Sequence, residues 1–442
     1  YDQVKNKLPF GYEYLGEHAV KNISEPVRVY KIETASKSSV PDPVKKVTLP
    51  EKPSIAVLPF TNMSGDAEQE YFSDGITEDL ITDLSKISAL FVIARNSVFT
   101  YKGKAVKVEE AGRELGVNYI LEGSVRKAGD RVRITAQLVD AATGGHLWAD
   151  RYDRDLVDIF DLQDEVTQKI VNVLAIKLAD EEAERLASKY TDDTEAYDFY
   201  LRGLESLFLM TEEENIQARQ MFERALDLDP GFAAAYAYMG LTHWVEWSMG
   251  WSQDQQSLEQ AFELSKKSLE RDNSLPAAHR ILGEVYLWEK KHDLAIGELK
   301  KCISLNPNDA DANVALGNAL NWAGEPEKVF ELVNKAMRLN PVYPFMYLWV
   351  LGHAYYLTKQ LEDAITTLRR VLKRGPHFHP PHAYLAGIYS ELGRMAEAKA
   401  EWGLFLKSSP HTSPDAWRQR LPYKDHAVLE RLFDSLRRAG LV

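Results

Sequence analysis

The chain has 442 residues, long enough for about two to four domains, and its 53 Lys and Arg against 66 Asp and Glu give a net charge of −13. Its hydrophobic content of 45% is ample for packed cores and excludes global disorder, and its acidic balance argues against nucleic acid as a partner. The one cysteine, Cys302, excludes an intrachain disulfide framework and fits a reducing, cytoplasmic compartment. No run of about 18 apolar residues is present, so we expect no membrane span.

The first 34 residues carry two short strand patterns, at 12–16 and 27–32. The phrases Leu-Gly-Glu (15–17), Val-Lys-Asn-Ile (20–23) and Glu-Pro-Val-Arg-Val-Tyr (25–30) resemble the closing strands of class III adenylate/guanylate cyclase domains. The first residue, Tyr1, is not a start methionine, so we expect residues 1–34 to be the end of such a catalytic domain.

The resemblance implies that the catalytic residues lie ahead of this chain. The family's two metal-binding aspartates, its purine-selecting pair and its transition-state arginine all precede these strands, and cyclisation needs two metal ions. We therefore expect no catalysis, metal or cofactor in this chain alone, whereas the parent protein would use ATP or GTP with Mg²⁺ or Mn²⁺. Class III cyclases work as dimers, so a homodimer through the parent cyclase domain is left open. Lys21 matches the family lysine that contacts the triphosphate, although a solvated surface lysine is the alternative.

The next two segments differ in composition. Residues 35–52 contain several Ser and Pro and predict an extended linker. Residues 53–160 predict a βαβα unit followed by a meander of antiparallel strands, which is an α/β domain with a mixed sheet. The predicted strands are at 54–60, 91–94, 119–125, 131–138 and around 147–149, and the predicted helices are at 74–84 and 108–115.

Four phrases of this region resemble the amino-terminal domain of TolB-like proteins: Ala-Val-Leu-Pro-Phe (56–60), Phe-Ser-Asp-Gly (72–75), Leu-Glu-Gly-Ser-Val (121–125) and Val-Asp-Ala-Ala-Thr-Gly (139–144). The resemblance implies a binding domain without enzymatic activity. The residues agree, since there is no GxxxxGK or GxGxxG phosphate loop and no nucleophile paired with a base. Residues 161–190 predict one connecting helix, running to about residue 187.

From residue 191 the chain repeats itself. Turns ending in proline recur at Pro307, Pro341, Pro376 and Pro410, with spacings of 34 and 35 residues, and each interval holds two helices with small residues at fixed places. The small residues let paired helices approach closely, and proline ends each unit. This pattern resembles the tetratricopeptide (TPR) repeat. We count six repeats over residues 191–410, two of them irregular, and expect residues 411–442 to cap the solenoid with an amphipathic helix.

Repeats of this kind bind a protein or peptide along the concave groove lined by the first helix of each unit. The repeat register places nine residues on that wall, each with a solvated face as the alternative: Trp244, Arg280, Glu284, Asp311, Asn318, Asn321, Trp349, His353 and Tyr356. Val314 stands where the family's carboxylate-clamp lysine would be, so that clamp is not supported.

Two further clusters allow two interpretations each. The three histidines of residues 377–382 suggest a metal site, but no acidic residue or cysteine lies among them, so an inter-repeat turn is favoured. The three tryptophans of residues 244–251 either pack on the solenoid, which is favoured, or form a contact site.

Together these patterns predict a regulatory, protein-interaction region of a class III cyclase-like signalling protein. A TPR scaffold or adaptor unconnected to cyclic nucleotides is the alternative, and small-molecule sensing by the middle domain is a weaker hypothesis.

Overall fold

The computed structural model describes residues 11–18, 27–33, 52–186, 191–252, 256–408 and 413–442, with side chains from residue 52 onward. The chain divides into two compact units, Tyr1–Asp42 and Pro43–Val442. In the first unit, strand β1 (Gly11–His18) pairs antiparallel with β2 (Val27–Glu33), with a bulge between Tyr14 and Gly16. Two strands therefore lie where the sequence predicts them. Lys21 and almost all of the predicted linker lie outside the described residues.

The second unit begins with a mixed sheet, as predicted. Its strand order is β5-β3-β6-β7-β8, with the short β4 beside β6. Strands β3, β4 and β5 run parallel to their neighbours, whereas β6, β7 and β8 form an antiparallel meander. The bounds are β3 Ser54–Val57, β4 Thr61–Asn62, α1 Glu70–Ser85, β5 Phe91–Val92, α2 Arg95–Val98, α3 Val108–Leu115, β6 Tyr119–Ala128, β7 Arg131–Asp140 and β8 His146–Asp155.

The alternation predicted for β7 is present. Val132, Ile134, Ala136 and Leu138 are buried beneath α1 and the helix that follows the sheet, whereas the residues between them face outward. Strand β8 is longer than expected, because the chain continues the meander through Asp155.

The single connecting helix expected over 161–190 is wrong. The structure has two helices there, α4 (Ile159–Val173) and α5 (Asp180–Leu186). The chain leaves the helical conformation at Ala175, whose φ of 51° is left-handed. Neither Gly nor Pro marks this break, so the sequence pattern did not indicate it.

Six antiparallel helix pairs follow in the described part of the chain from residue 191 to residue 408, matching the number of predicted repeats. The pairs are α6 Thr194–Phe208 with α7 Glu212–Leu228, α8 Ala233–Ser248 with α9 Gln256–Arg271, α10 Pro276–Trp288 with α11 His292–Leu305, α12 Ala310–Ala323 with α13 Val329–Leu339, α14 Phe345–Leu357 with α15 Leu361–Arg374, and α16 Pro380–Glu391 with α17 Met395–Ser408. The small residues lie at the helix contacts, as in the approach of Gly283 to Leu299.

The chain ends in two helices, α18 (Pro414–Arg420) and α19 (His426–Arg438). The predicted apolar face of α19 is buried: Leu429, Leu432, Phe433 and Leu436 pack toward α16. In the part of the chain that the structure describes, no helix combines the length and the apolar composition needed to cross a membrane.

Candidate functional site

The candidate site is the concave surface of the repeats, which is lined by α6, α8, α10, α12, α14 and α16. All nine residues predicted for the groove lie on these first helices. Their environments differ from the prediction of an open groove, because other parts of the chain occupy much of this surface. Two segments do so: the α/β domain, and the C-terminal segment formed by residues 413–442.

The α/β domain docks on the turns that connect the repeats. Asn308 donates from Nδ2 to the carbonyls of Ser85 (3.0 Å) and Ile87 (3.2 Å). At the next turn the amide of Ala94 donates to the carbonyl of Leu339 at 2.8 Å, and Ser97 Oγ donates to Asn340 Oδ1 at 2.6 Å. The asparagines next to the repeat prolines therefore lie at the boundaries between repeats and also bind the neighbouring domain.

A second contact joins α1 to the first repeat helix, α6. Asp79 accepts hydrogen bonds from the hydroxyl of Tyr197 and from Gln163 Nε2, the latter at 2.8 Å. Asp79 is buried, and this burial raises its pKa to about 7. Close by, the Leu201 side chain lies 2.6 Å from where a Cβ on Gly75 would stand, so only glycine allows this approach of α1 to α6.

A cavity of about 190 Å³ lies between the α/β domain and the repeats, lined by residues of α1, α2, α6, α8, α10, α12 and the two inter-repeat turns. Arg95 Nε lies 2.9 Å from Glu78 Oε2, and Arg280 Nη1 lies 3.4 Å from Glu284 Oε1. Burial raises the pKa of Glu78 and that of Glu284 to about 7. The Arg95–Glu78 ion pair therefore lies in the cavity wall, where it is costly to desolvate and is retained by its pairing.

Two of the predicted groove residues face this junction directly. Arg280 and Asp311 line the cavity, and Asp311 Oδ1 accepts a hydrogen bond from the hydroxyl of Tyr347 at 2.7 Å. Glu284 is held against Arg280, as described above. These three residues contact the chain's own groups in the structure.

The C-terminal segment covers the other end of the first helices. His353 Nε2 lies 2.7 Å from the hydroxyl of Tyr423, which itself lies 2.8 Å from the hydroxyl of Tyr384. The amide of Lys424 donates to the carbonyl of Trp322 at 2.9 Å, and His292 Nε2 lies 2.6 Å from the carbonyl oxygen of Pro422. The segment thus contacts four consecutive repeats, through His292, Trp322, His353 and Tyr384.

For four predicted groove residues, the prediction of an open wall is therefore wrong. Asn321, Trp349, His353 and Tyr356 are all buried, and His353 and Tyr356 have no exposed surface. Burial lowers the pKa of His353 to about 3, so its imidazole is neutral. The physical reasons differ. Tyr423 and Arg431 of the C-terminal segment cover His353 and Tyr356. Asn321 and Trp349 are instead buried by the neighbouring repeats, through the bond from Asn321 Nδ2 to the Val350 carbonyl at 2.8 Å and the Phe378 ring 5.4 Å from Trp349.

A row of tryptophans forms the floor beneath this segment. The ring centroids of Trp247 and Trp288 lie 5.0 Å apart, those of Trp288 and Trp322 lie 6.2 Å apart, and Trp322 lies 4.5 Å from Tyr423. Trp244 stacks on Trp247 at 5.4 Å, which supports the packing interpretation of that cluster. Asn318 is half-buried and accepts a hydrogen bond from Trp322 Nε1 at 3.0 Å.

Sequence reasoning missed Tyr423, Asn308 and Asn340 as contact residues. The two asparagines follow or precede the prolines that mark the repeats. Asparagine is common in turns because it suits the backbone conformation there, so its presence did not indicate a contact. The spacing of Trp288 and Trp322, 34 residues apart, was the available signal for the aromatic row.

Reactive groups are not brought together at this surface. Burial raises the pKa of the Cys302 thiol well above its usual value. Among residues with described side chains, no three His, Cys, Asp or Glu form a group that could hold a metal ion, and His382 of the histidine cluster instead lies 2.6 Å from Glu401 Oε2.

Comparisons with known proteins agree with a multidomain chain of this kind. Residues 51–176 match the family described as the HilA/YgeH-like transcriptional regulator, second domain. Over 299 residues the chain is 46% identical to "Putative adenylate cyclase 3" of Rhizobium meliloti (strain 1021), covering 67% of this chain and 51% of that protein. It is 22% identical over 322 residues to "Transcriptional regulator HilA" of Salmonella paratyphi A, and the match covers 72% of this chain and 56% of that protein. The chain therefore spans about half the length of these curated relatives.

Among solved structures, the Pseudomonas aeruginosa PilF structure is 17% identical with a TM-score of 0.37 and covers 51% of this chain and 96% of that one. The structure of the APC/C hetero-tetramer Cut9-Hcn1 is 17% identical with a TM-score of 0.43, and the match covers 63% of this chain and 52% of that one. The fold assignment stands on the six helix pairs themselves, which define a TPR-like helical solenoid joined to an α/β domain.

Proposed function

We propose that this chain is the regulatory, protein-interaction region of a class III cyclase-like signalling protein of the cytoplasm, whose repeats bind a protein or peptide on their concave surface. The observation that carries the proposal is the C-terminal segment itself, which contacts the first helices of three repeats through Trp322, His353 and Tyr384. A surface that holds one polypeptide through aromatic, backbone and histidine contacts has the chemistry to hold another.

The contacts of the C-terminal segment indicate the chemistry of such a partner. Tyr423 inserts an aromatic ring against Trp322 and His353, and the Lys424 amide bonds to a backbone carbonyl. Lys424 Nζ also lies 2.9 Å from Asp293 Oδ1 at the edge of the groove. A partner segment with an aromatic residue followed by a basic one would compete for the same positions.

The cyclase connection rests on two supports. The relative that is 46% identical carries a cyclase name, and residues 15–30 resemble the end of a class III catalytic domain. In the parent, the catalytic aspartates would bind Mg²⁺ or Mn²⁺ with ATP or GTP, and Lys21 would contact the triphosphate. The TolB-like α/β domain, docked on the repeat turns, would transmit partner binding to the catalytic part.

Peptide capture tests the proposed binding surface. A fluorescent peptide of residues 413–425 is titrated into the full chain and into its Tyr423→Ala variant, with fluorescence polarisation as the readout. We expect binding to the variant at least about tenfold tighter than to the wild type, because the resident segment no longer competes. The control is the same peptide with alanine in place of its tyrosine. No binding to the variant, or equal binding of both peptides, would contradict the proposal.

Catalysis is tested separately. The chain incubated with ATP or GTP and Mn²⁺ should release no cyclic nucleotide, and turnover by the chain alone would overturn the assignment of catalysis to the parent. The alternative is a TPR scaffold unconnected to cyclic nucleotides. The encoded sequence ahead of Tyr1 decides between the two, since metal-binding aspartates at cyclase spacing are present there only in the first case.

A further inference from the structure

Strand β8 is the open edge of the sheet, and it is long for an edge strand. It runs for ten residues from His146 to Asp155 and pairs with β7 on one side only among the described residues. Ala149, Asp150, Arg151, Arg154 and Asp155 are all exposed. An edge of this length presents a row of backbone groups that can pair with another strand.

The direction of those backbone groups follows from the register with β7. Leu156, next to the strand, donates its amide to the carbonyl of Asp130 at 2.7 Å, so the amides of the even-numbered residues face β7. The odd-numbered amides face outward. Consistent with this, the amide of Arg151 is bonded at 2.8 Å to the side chain of its own neighbour, Asp150. A new strand must therefore pair with residues 149, 151, 153 and 155.

We propose that β8 pairs antiparallel with β8 of a second copy of this chain, in the register centred on Tyr152. The outward amides require odd residues opposite odd residues, and a two-fold axis then passes through a residue of the strand. Centred on Tyr152, Asp150 stands opposite Arg154 of the second copy, and Arg151 stands opposite Asp153 of the second copy. The two-fold axis repeats each pair, so four opposite-charge pairs form.

The neighbouring registers with the same parity place like charges together. Centring on Asp150, Arg151 or Asp153 sets each of these residues opposite its own copy. Like charges directly opposite each other across two strands are destabilising, whereas opposite charges are favourable. Centring on Asp153 also forms two Arg151–Asp155 pairs, whereas centring on Tyr152 forms four opposite-charge pairs and no like-charge pair, so the charges of β8 favour the register centred on Tyr152.

The positions of these side chains are compatible with the pairing. Arg154 lies 3.3 Å from Glu165 Oε2, and Asp153 bonds to Arg131 and Arg133 on the neighbouring strand, all at the surface. These exposed ion pairs contribute little in the monomer and can be shared with the second copy. Tyr152 is buried within its own domain, so the centre of the interface is fixed in position.

The oligomeric state of the full chain tests the proposal. Sedimentation velocity from low micromolar concentration upward should show a monomer–dimer equilibrium. Asp150→Arg or Arg154→Asp alone places like charges opposite each other and should weaken dimerisation at least about tenfold, whereas the double variant restores opposite charges and should restore the dimer. Lys301→Asp on exposed α11 surface is the matched control and should leave the equilibrium unchanged.

A second variant separates backbone pairing from charge. Ala149→Pro removes one outward amide without altering the charge, and proline is tolerated on the open side of an edge strand. It should also weaken the dimer, with an unchanged circular dichroism spectrum as the test of folding. A chain that stays monomeric at its highest soluble concentration overturns the proposal. A dimer that survives both Asp150→Arg and Ala149→Pro also overturns it, because that dimer forms elsewhere.

Discussion

The imidazole of His353 lies 2.7 Å from the hydroxyl of Tyr423, seventy residues further along the chain, and neither group has appreciable exposure. This contact fixes the C-terminal segment on the wall of the repeats. Because Tyr423 also reaches Tyr384 and Trp322, one side chain connects three repeats.

Substitutions at Tyr423 should destabilise the repeats in proportion to what they remove. Tyr423→Phe leaves His353 and Tyr384 without the shared hydroxyl and should lower the free energy of unfolding by about 1–2 kcal/mol. Tyr423→Ala also removes the ring and should cost about 3–5 kcal/mol. Urea unfolding followed by tryptophan fluorescence measures both. Tyr236→Phe, at a half-buried hydroxyl, is the control and should change little; equal losses would contradict the role given to Tyr423.

Asn308 should contribute more to the free energy of unfolding than an asparagine at the corresponding turn of another repeat. Asn308→Ala removes three hydrogen bonds to the α/β domain, two to carbonyls and one from the Val92 amide, so we expect a loss of about 2 kcal/mol and faster proteolysis between the domains. Asn273→Ala changes an exposed turn residue and is the matched control. If both variants unfold and are cleaved like the wild type, the docking does not depend on Asn308.

The buried carboxyl of Asp79 should make stability depend on pH. Its pKa is about 7 in the folded chain, above the ordinary value of about 3.9, because burial disfavours the charged form. The folded state therefore retains a proton that the unfolded chain releases. This contribution is fully present below pH about 4 and is lost as the pH rises to about 7.

Asp79→Asn should remove that dependence. Between pH 5 and pH 8 we expect the wild type to lose about 2–3 kcal/mol more stability than the variant. Denaturant unfolding at both pH values gives the difference, with Glu223→Gln, an exposed carboxylate, as the control. Parallel pH profiles for the wild type and Asp79→Asn would show that Asp79 is not the group responsible.

Substitution by alanine should change the stability of the chain in different directions at two helical glycines. A Cβ on Gly283 would lie 2.7 Å from Leu299 Cγ, so Gly283→Ala should destabilise the chain by about 1–3 kcal/mol. At Gly317 the nearest atom is 3.4 Å away, and alanine favours the helix by up to about 1 kcal/mol, so Gly317→Ala should be neutral or stabilising. Thermal unfolding of the pair measures this difference. Equal shifts would show that the α10–α11 contact yields easily.

Cys302 should be unreactive in the folded chain. It is fully buried and its pKa is raised, so little thiolate is available. A thiol-specific chromogenic disulfide should react with it only after unfolding in denaturant. Rapid labelling of the native chain would indicate that α11 opens locally.

The sequence by itself determined the periodic part of this protein. The repeat pattern, with four regular units and two irregular ones, specified six helix pairs, the alternation in β7 specified a sheet with one covered face, and the spacing of leucines specified the apolar side of α19. Such patterns are local consequences of the 3.6-residue and two-residue periods, so they can be read along the chain.

Only the tertiary structure decided what the concave surface contacts. His353 and Tyr423 are seventy residues apart, as Asn308 and Ser85 are more than two hundred apart, and no periodicity relates such positions. The register of the repeats correctly placed nine residues on the first helices, but a wall rich in Trp, His and Tyr has the same sequence whether a partner or its own chain covers it. The wall is covered by its own chain because burying it against Tyr423 and the α/β domain is favourable in free energy.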